Sequence, residues 1–157
     1  MKIKKDELAI SILLPLAVGA VSSFLTQNAM GMFRLMEQPP LSPPGWLFPV
    51  VWTILYVLMG IASYLVCREG KEKPEVADAL SVYALQLVFN FFWSIFFFRF
   101  EWYLFSFLWL LALWGLILVT TLRFWKVNRT AAKLMLPYLA WVTFAGYLNL
   151  GVYLLNN

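Results

Sequence analysis

Apolar residues fall into five long runs separated by short polar turns. The runs cover about Leu8 to Leu25, Trp46 to Val66, Val76 to Phe98, Trp102 to Phe124 and Ala131 to Leu155. Each is close to the ~20 residues that a helix needs to cross a hydrocarbon core. The solvent forces a helical reading. In lipid, backbone N–H and C=O groups must be paired internally, and five short-looped spans cannot close a barrel. The pattern therefore predicts an all-α membrane protein: one five-helix transmembrane domain over 1–157, with a Pro-rich first loop. Helix punctuation agrees. Pro74, Glu75 and Asp78 suit the first turn of the third helix, and Asn128 or Thr130 can cap the fifth. Pro15 and Pro137 fall inside the first and fifth helices, where each removes a backbone bond and predicts a bend. No two halves share a pattern that would mark an inverted repeat.

Composition sharpens this picture. Hydrophobic residues make up 62% of the chain and charged ones 13%, against about 25% charged in soluble domains. Such a chain cannot hide its apolar surface in a water-soluble fold of this size. Charge placement supplies an orientation. Lys2, Lys4, Lys5, Arg68, Lys71, Lys73, Arg123, Lys126, Arg129 and Lys133 share one side; Arg34 and Arg99 are on the other. The positive-inside rule places the N-terminus in the cytoplasm and the C-terminus outside. The opening Met1-Lys2-Ile3-Lys4-Lys5 imitates a signal peptide. The run behind it is long enough to span, without a small-x-small cleavage site before the prolines, so it is expected to stay as the first helix. Basic residues sit in turns and not on one face, which excludes a nucleic-acid surface. The single Cys67 excludes an internal disulfide and a multi-Cys cluster. The lack of histidine removes the commonest metal and haem ligand and the usual general base. No metal site and no required cofactor are expected.

Candidate chemistry lies in the aromatic and amide residues. No Asp, Glu, Lys or His stands at bilayer depth, which argues against proton-coupled transport and leaves no catalytic acid–base pair. Polar and aromatic residues do align. Gln86, Asn90, Trp93 and Phe97 share a face of the third helix; Phe48, Trp52, Tyr56 and Ser63 share one on the second. Tyr138, Trp141, Ala145 and Asn149 share one on the fifth. One such stripe reads as ordinary helix packing. Three together predict a shared cavity with aromatic walls and polar anchors, suited to a flat apolar ligand. Of the other tryptophans, Trp46, Trp102 and Trp125 lie near span ends, where an interfacial belt is expected, above all for Trp102 and Trp125. Periodicity leaves Trp109 and Trp114 facing either lipid or a neighbouring helix. The segment Gln38-Pro39-Pro40-Leu41-Ser42-Pro43-Pro44-Gly45-Trp46 loses little entropy on ordering and reads as either a stiff turn or a lid over the cavity. Leu58, Tyr64 and Arg68 match a loose sterol-contact spacing of low specificity. Cys67 reads as an inert small residue.

The chain resembles the translocator protein family, also called the tryptophan-rich sensory or peripheral benzodiazepine receptor family, in its bacterial form. The resemblance rests on Pro39, Pro43-Pro44-Gly45-Trp46-Leu47-Phe48 and Val51-Trp52-Thr53-Ile54-Leu55-Tyr56. It continues through Asn90-Phe91-Phe92-Trp93-Ser94, Phe96-Phe97-Phe98 and Leu136-Pro137-Tyr138-Leu139-Ala140-Trp141, with Phe144-Ala145 and Leu148-Asn149. It implies a ligand pocket inside the bundle, lidded by the first loop, that binds tetrapyrroles such as protoporphyrin, and in many members sterols and aromatic drugs. Trp52 and Trp141 would form one wall, with Asn90 and Trp93 opposite. Pro43, Pro44, Trp46, Phe48, Tyr56, Gln86, Tyr138, Ala145 and Asn149 complete the expected ligand-binding set. A sensory or regulatory tetrapyrrole receptor is the leading expectation. A light-dependent porphyrin-degrading enzyme, with Trp52 and Trp141 as redox participants, and a porphyrin or sterol transporter are the alternatives. A homodimer is common in the family; here only Gly19 and Ser23 offer a small-x-x-x-small pair. Two departures stand out. Tyr153 is followed by Leu154-Leu155-Asn156-Asn157 with no basic residue, which weakens the sterol expectation. Gln38 replaces the basic residue before the loop proline, leaving Arg34 as the nearest cation for a porphyrin carboxylate.

Overall fold

The computed structural model describes residues 4–26 and 37–156. Five helices long and apolar enough to cross a membrane make up the described chain. They are α1 (Lys5–Thr26), α2 (Leu47–Cys67), α3 (Pro74–Ser94), α4 (Tyr103–Val127) and α5 (Arg129–Leu155). The contacts close them into a ring in the order α1, α2, α5, α4, α3, with α3 returning to α1. Pro74 opens α3 at its first position with Glu75 beside it, as expected for a residue lacking an N–H next to the positive end of the dipole. Asn128 caps α5, its side chain accepting from the Ala131 N–H at 3.0 Å. Asp78 pairs with Arg123, tying the start of α3 to the end of α4.

The third span departs from its expected form. The sequence predicts one α-helix to Phe98, but α3 ends at Ser94 and continues as a π-helical turn over Ile95–Arg99. There the Phe100 N–H reaches back to the Ile95 carbonyl at 3.0 Å. Such wide turns gather at functional sites, and this one carries Phe97 and Phe98.

The two ends of the bundle are packed differently. Near the lysine- and arginine-rich turns, Val66, Val76, Ala79, Ile117, Phe124, Ala131, Ala132 and Met135 are fully buried. Small residues let backbones close here: a Cβ on Gly60 would stand 2.4 Å from the Ile12 Cα, so α1 and α2 touch main chain to side-chain-free main chain. At the other end the helices part around a cavity. The Pro-rich loop is fastened to α5 beside it. Tyr147 donates to the Pro40 carbonyl at 2.6 Å and Asn156 to the Glu37 carbonyl at 2.7 Å. Pro39 lies so close to Gly151 that a Cβ there would sit 2.5 Å from its ring. Leu41 holds φ 71, a left-handed conformation that costs a non-glycine residue roughly 1–2 kcal/mol. Ser42 closes that turn by donating to the Pro39 carbonyl at 2.6 Å. The segment is thus a fixed structure at the cavity end of the bundle.

Candidate functional site

Below the cavity lies a sealed layer of polar side chains. Tyr56 on α2 donates to Asn90 Oδ1 on α3 at 2.9 Å. Asn90 Nδ2 donates to the Tyr138 hydroxyl on α5 at 2.7 Å, and that hydroxyl donates to Gln86 Oε1 at 2.7 Å. Gln86 Nε2 completes the chain against Met59 Sδ at 3.9 Å. In hydrocarbon an unpaired amide is costly, so this closed network fixes how three helices meet. Asn90, Gln86 and Tyr138 therefore spend their hydrogen bonds on each other.

The cavity above has a volume of about 250 Å³ and is lined chiefly by aromatic rings. Trp52 is its centre. Its ring stacks on Tyr56 at 5.6 Å and meets Trp93 at 6.4 Å, Tyr138 at 6.2 Å and Trp141 at 6.5 Å. Phe48 sets its edge to Trp141 at 5.9 Å, and Trp93 stacks on Phe97 at 5.4 Å. Trp93 is held in place by donating to Asn149 Oδ1 at 3.0 Å. Asn149 also accepts from Ser106 at 3.2 Å and donates to the Tyr103 carbonyl at 2.8 Å. The Trp141 indole N–H is different: it is buried at the wall and has no partner among the described residues. A cavity walled by aromatic rings with polar groups at its edge is the anatomy of a small-molecule site.

The sequence-predicted residues divide by depth. Trp46, Phe48, Trp52, Tyr56, Trp93, Trp141, Ala145 and Asn149 line the cavity. Gln86, Asn90 and Tyr138 do not; they form the layer beneath it. A stripe reports which face a residue is on and not how deep it lies, and the amides sit one to two turns further in. Pro43 and Pro44 lie off the lining, with Pro44 starting α2 by accepting from the Leu47 N–H at 3.0 Å. Ser63 bonds within its own helix, to the Gly60 carbonyl at 3.0 Å. Arg34 lies outside the described residues.

The sequence reading missed the contribution of α1. Gly19, Ser22, Ser23 and Thr26 line the cavity, and their spacing of three, four and seven is the signature of one helical face. Gly19 and Ser23 read as a possible dimer pair; in the structure both also border the cavity, with Ser23 still exposed. A Cβ on Gly19 would stand 2.3 Å from the Tyr56 ring. Gly45, Pro49, Ser94, Phe98 and Leu148 complete the lining. Phe97 and Phe98 of the π-turn both reach this cavity.

The other tryptophans are settled too. Trp109 donates to the Phe89 carbonyl at 2.9 Å and stacks on its ring at 4.2 Å. Trp114 donates to Thr143 Oγ1 at 2.9 Å. Both therefore serve helix packing. Trp102 and Trp125 remain exposed near helix ends, with Arg129 over the Trp125 ring at 5.5 Å. Tyr64 and Arg68 stack on each other at 5.6 Å, and the Tyr64 hydroxyl accepts from the Lys4 N–H at 2.8 Å, a local use for two of the three sterol-pattern residues.

Comparison with known proteins agrees with this architecture. The profile of the TspO/MBR family matches residues 11–155. The tryptophan-rich protein TspO of Chlorobaculum tepidum is 41% identical over 150 residues, 95% of each chain. That of Archaeoglobus fulgidus is 37% identical, over 96% of this chain and 97% of its own. The human translocator protein is 34% identical over 82% of this chain and 76% of its own. Five helices long and apolar enough to cross a membrane, an aromatic cavity at the end that carries the proline-rich loop and these matches together make the chain an integral, multi-pass membrane protein of the TspO/MBR family.

Proposed function

We propose that the aromatic cavity binds a flat apolar tetrapyrrole of the protoporphyrin type, and that the chain acts as a membrane sensor or regulator of that ligand. The observation that carries this reading is the cluster of Phe48, Trp52, Trp93 and Trp141 around one cavity. Their π-faces suit a conjugated macrocycle. The cavity's volume of about 250 Å³ is just under the range of about 300–1,000 Å³ typical of drug-sized ligands. A macrocycle therefore seats part of its face among the indoles and leaves its polar edge toward the loop. The Lys/Arg asymmetry supports an N-terminus in the cytoplasm and a cavity facing the opposite side.

Three rings in contact, Trp52, Trp93 and Trp141, favour a second reading. An indole against an excited porphyrin can pass it one electron, and the reduced porphyrin can hand that electron to dioxygen; with dioxygen as the oxidant that opens the macrocycle, the protein would be a light-dependent porphyrin-degrading enzyme. Titrating the protein with protoporphyrin, haem and a sterol in the dark, then illuminating the protoporphyrin complex, separates the cases. Binding predicts quenched indole emission with protoporphyrin and haem, and little with the sterol. Unchanged emission at saturating porphyrin refutes it. Bleaching of the porphyrin in light, absent when Trp52 and Trp141 are both Phe, assigns the photochemical activity.

A further inference from the structure

Trp141 walls two cavities at once. One face closes the inner aromatic cavity. The other closes an outward groove of about 540 Å³ between α2 and α5. That groove is apolar throughout, built by Ile54 and Leu58 of α2 and by Pro137, Ala140 and Phe144 of α5 together with Trp141 itself. Ile54 is exposed on the face that meets lipid in a membrane. Trp141 therefore stands in the wall shared by the ligand cavity and a groove on the lipid-facing side.

The partition is held loosely. Trp93 and Trp109 are each pinned by an N–H bond to a fixed acceptor. The Trp141 N–H has no partner among the described residues, so turning this ring breaks no hydrogen bond. Its restraint comes from ring contacts, to Phe48 at 5.9 Å and Trp52 at 6.5 Å on the cavity side and to Phe144 at 5.5 Å on the groove side.

We propose that the α2–α5 groove is a lateral docking site for a flat apolar ligand dissolved in the bilayer, and that Trp141 is the gate through which that ligand passes into the cavity. The proposal rests on the binding reading above and adds its route. An apolar tetrapyrrole partitions into the hydrocarbon and meets the protein at this depth, not at the aqueous loop. The groove and the cavity share Trp141 as a wall residue.

The test is kinetic. The full chain is reconstituted in phosphatidylcholine nanodiscs and mixed with protoporphyrin, and indole quenching is followed by stopped flow. Ala140→Phe fills the groove without touching the cavity lining, and Ile54→Phe fills it from the facing wall. Each is expected to slow association and dissociation alike, by about tenfold, leaving the equilibrium constant unchanged. Phe144→Ala removes the ring behind Trp141 and is expected to speed both. Unaltered rates in Ala140→Phe and Ile54→Phe, while the unmodified chain binds, overturn the lateral route. A slower association with unchanged dissociation also overturns it, since the groove would then be part of the resting site. Absence of quenching in the unmodified chain at saturating porphyrin is a different result, and overturns the binding reading on which the route depends.

Discussion

At the level of single residues, the cavity end of the bundle separates side chains that hold the fold from those free to meet a ligand. Asn90 belongs to the first group, buried between Tyr56 and Tyr138 with both amide functions in use. Asn90→Ala removes two interhelical bonds and leaves the Tyr56 hydroxyl unpaired in the bundle. Interhelical hydrogen bonds in membranes average about 0.6 kcal/mol and reach about 1.7. The expected destabilisation is thus roughly 1–3 kcal/mol, measured by reversible unfolding in mixed micelles. Porphyrin affinity of the folded variant should change little, because Asn90 does not line the cavity. A marked loss of affinity with unchanged stability would reverse that assignment. The sequence stripes correctly turned Gln86, Asn90 and Tyr138 inward, and they could not give depth. A one-dimensional pattern carries no information about which amide meets a neighbour's hydroxyl first. Only packing shows that Trp141 alone of the wall tryptophans is left with a buried, unspent N–H.

At the level of elements, the five spans were legible within one or two residues at most ends, because bilayer thickness and backbone pairing leave few alternatives. The π-turn at Ile95–Arg99 was not legible, because a 3.6-residue pattern assumes the regular helix that it interrupts. Nor was the role of α1. Its Gly19, Ser22, Ser23 and Thr26 share a face, but small residues on a face equally suit a neighbouring helix or a second chain. Close helix approach makes a direct prediction. At Gly60 an added side chain meets the α1 backbone, with the Ile12 Cα at 2.4 Å and the Ser11 carbonyl oxygen at 2.7 Å. Gly60→Val should cost about 1–3 kcal/mol through overpacking. Gly115 faces open space, with nothing within 4 Å of a new Cβ. Gly115→Ala should be neutral or stabilise by up to about 1 kcal/mol through helix propensity. Unfolding midpoints of the pair check both. Equal effects would mean that α1 and α2 do not meet at Gly60.

At the level of the whole molecule, the fold is asymmetric along its axis. One end is packed solid beneath basic turns, and the other opens around aromatic rings, with the fixed loop at that end. Charge gives the orientation a testable form. In a Cys67→Ser background, Lys71→Cys and Asn156→Cys place single thiols at opposite ends. A membrane-impermeant maleimide applied to intact spheroplasts should label Asn156→Cys, and Lys71→Cys only after lysis. The reverse pattern would place the cavity on the cytoplasmic side. The family resemblance, read from the order of the Pro-Trp, Asn-Trp and Pro-Tyr-Trp segments, is matched by a profile spanning residues 11–155. The ligand is a step further, because aromatic walls specify a flat shape and not a chemical name.

The central claim is that the rings around Trp52 are the ligand's seat, and one comparison of affinities tests it most directly. Dissociation constants for protoporphyrin are measured in the dark by equilibrium titration of the porphyrin's own fluorescence. The unmodified chain is compared with Trp52→Phe, Trp141→Phe, Trp109→Phe and Trp114→Phe. An aromatic contact contributes about 0.5–1.5 kcal/mol beyond area, or roughly two- to tenfold in affinity. The account predicts a weakening of that size for Trp52→Phe and Trp141→Phe, and none for Trp109→Phe and Trp114→Phe, whose indoles serve helix packing. Equal affinity across all four variants, or a loss confined to Trp109→Phe and Trp114→Phe, would contradict it.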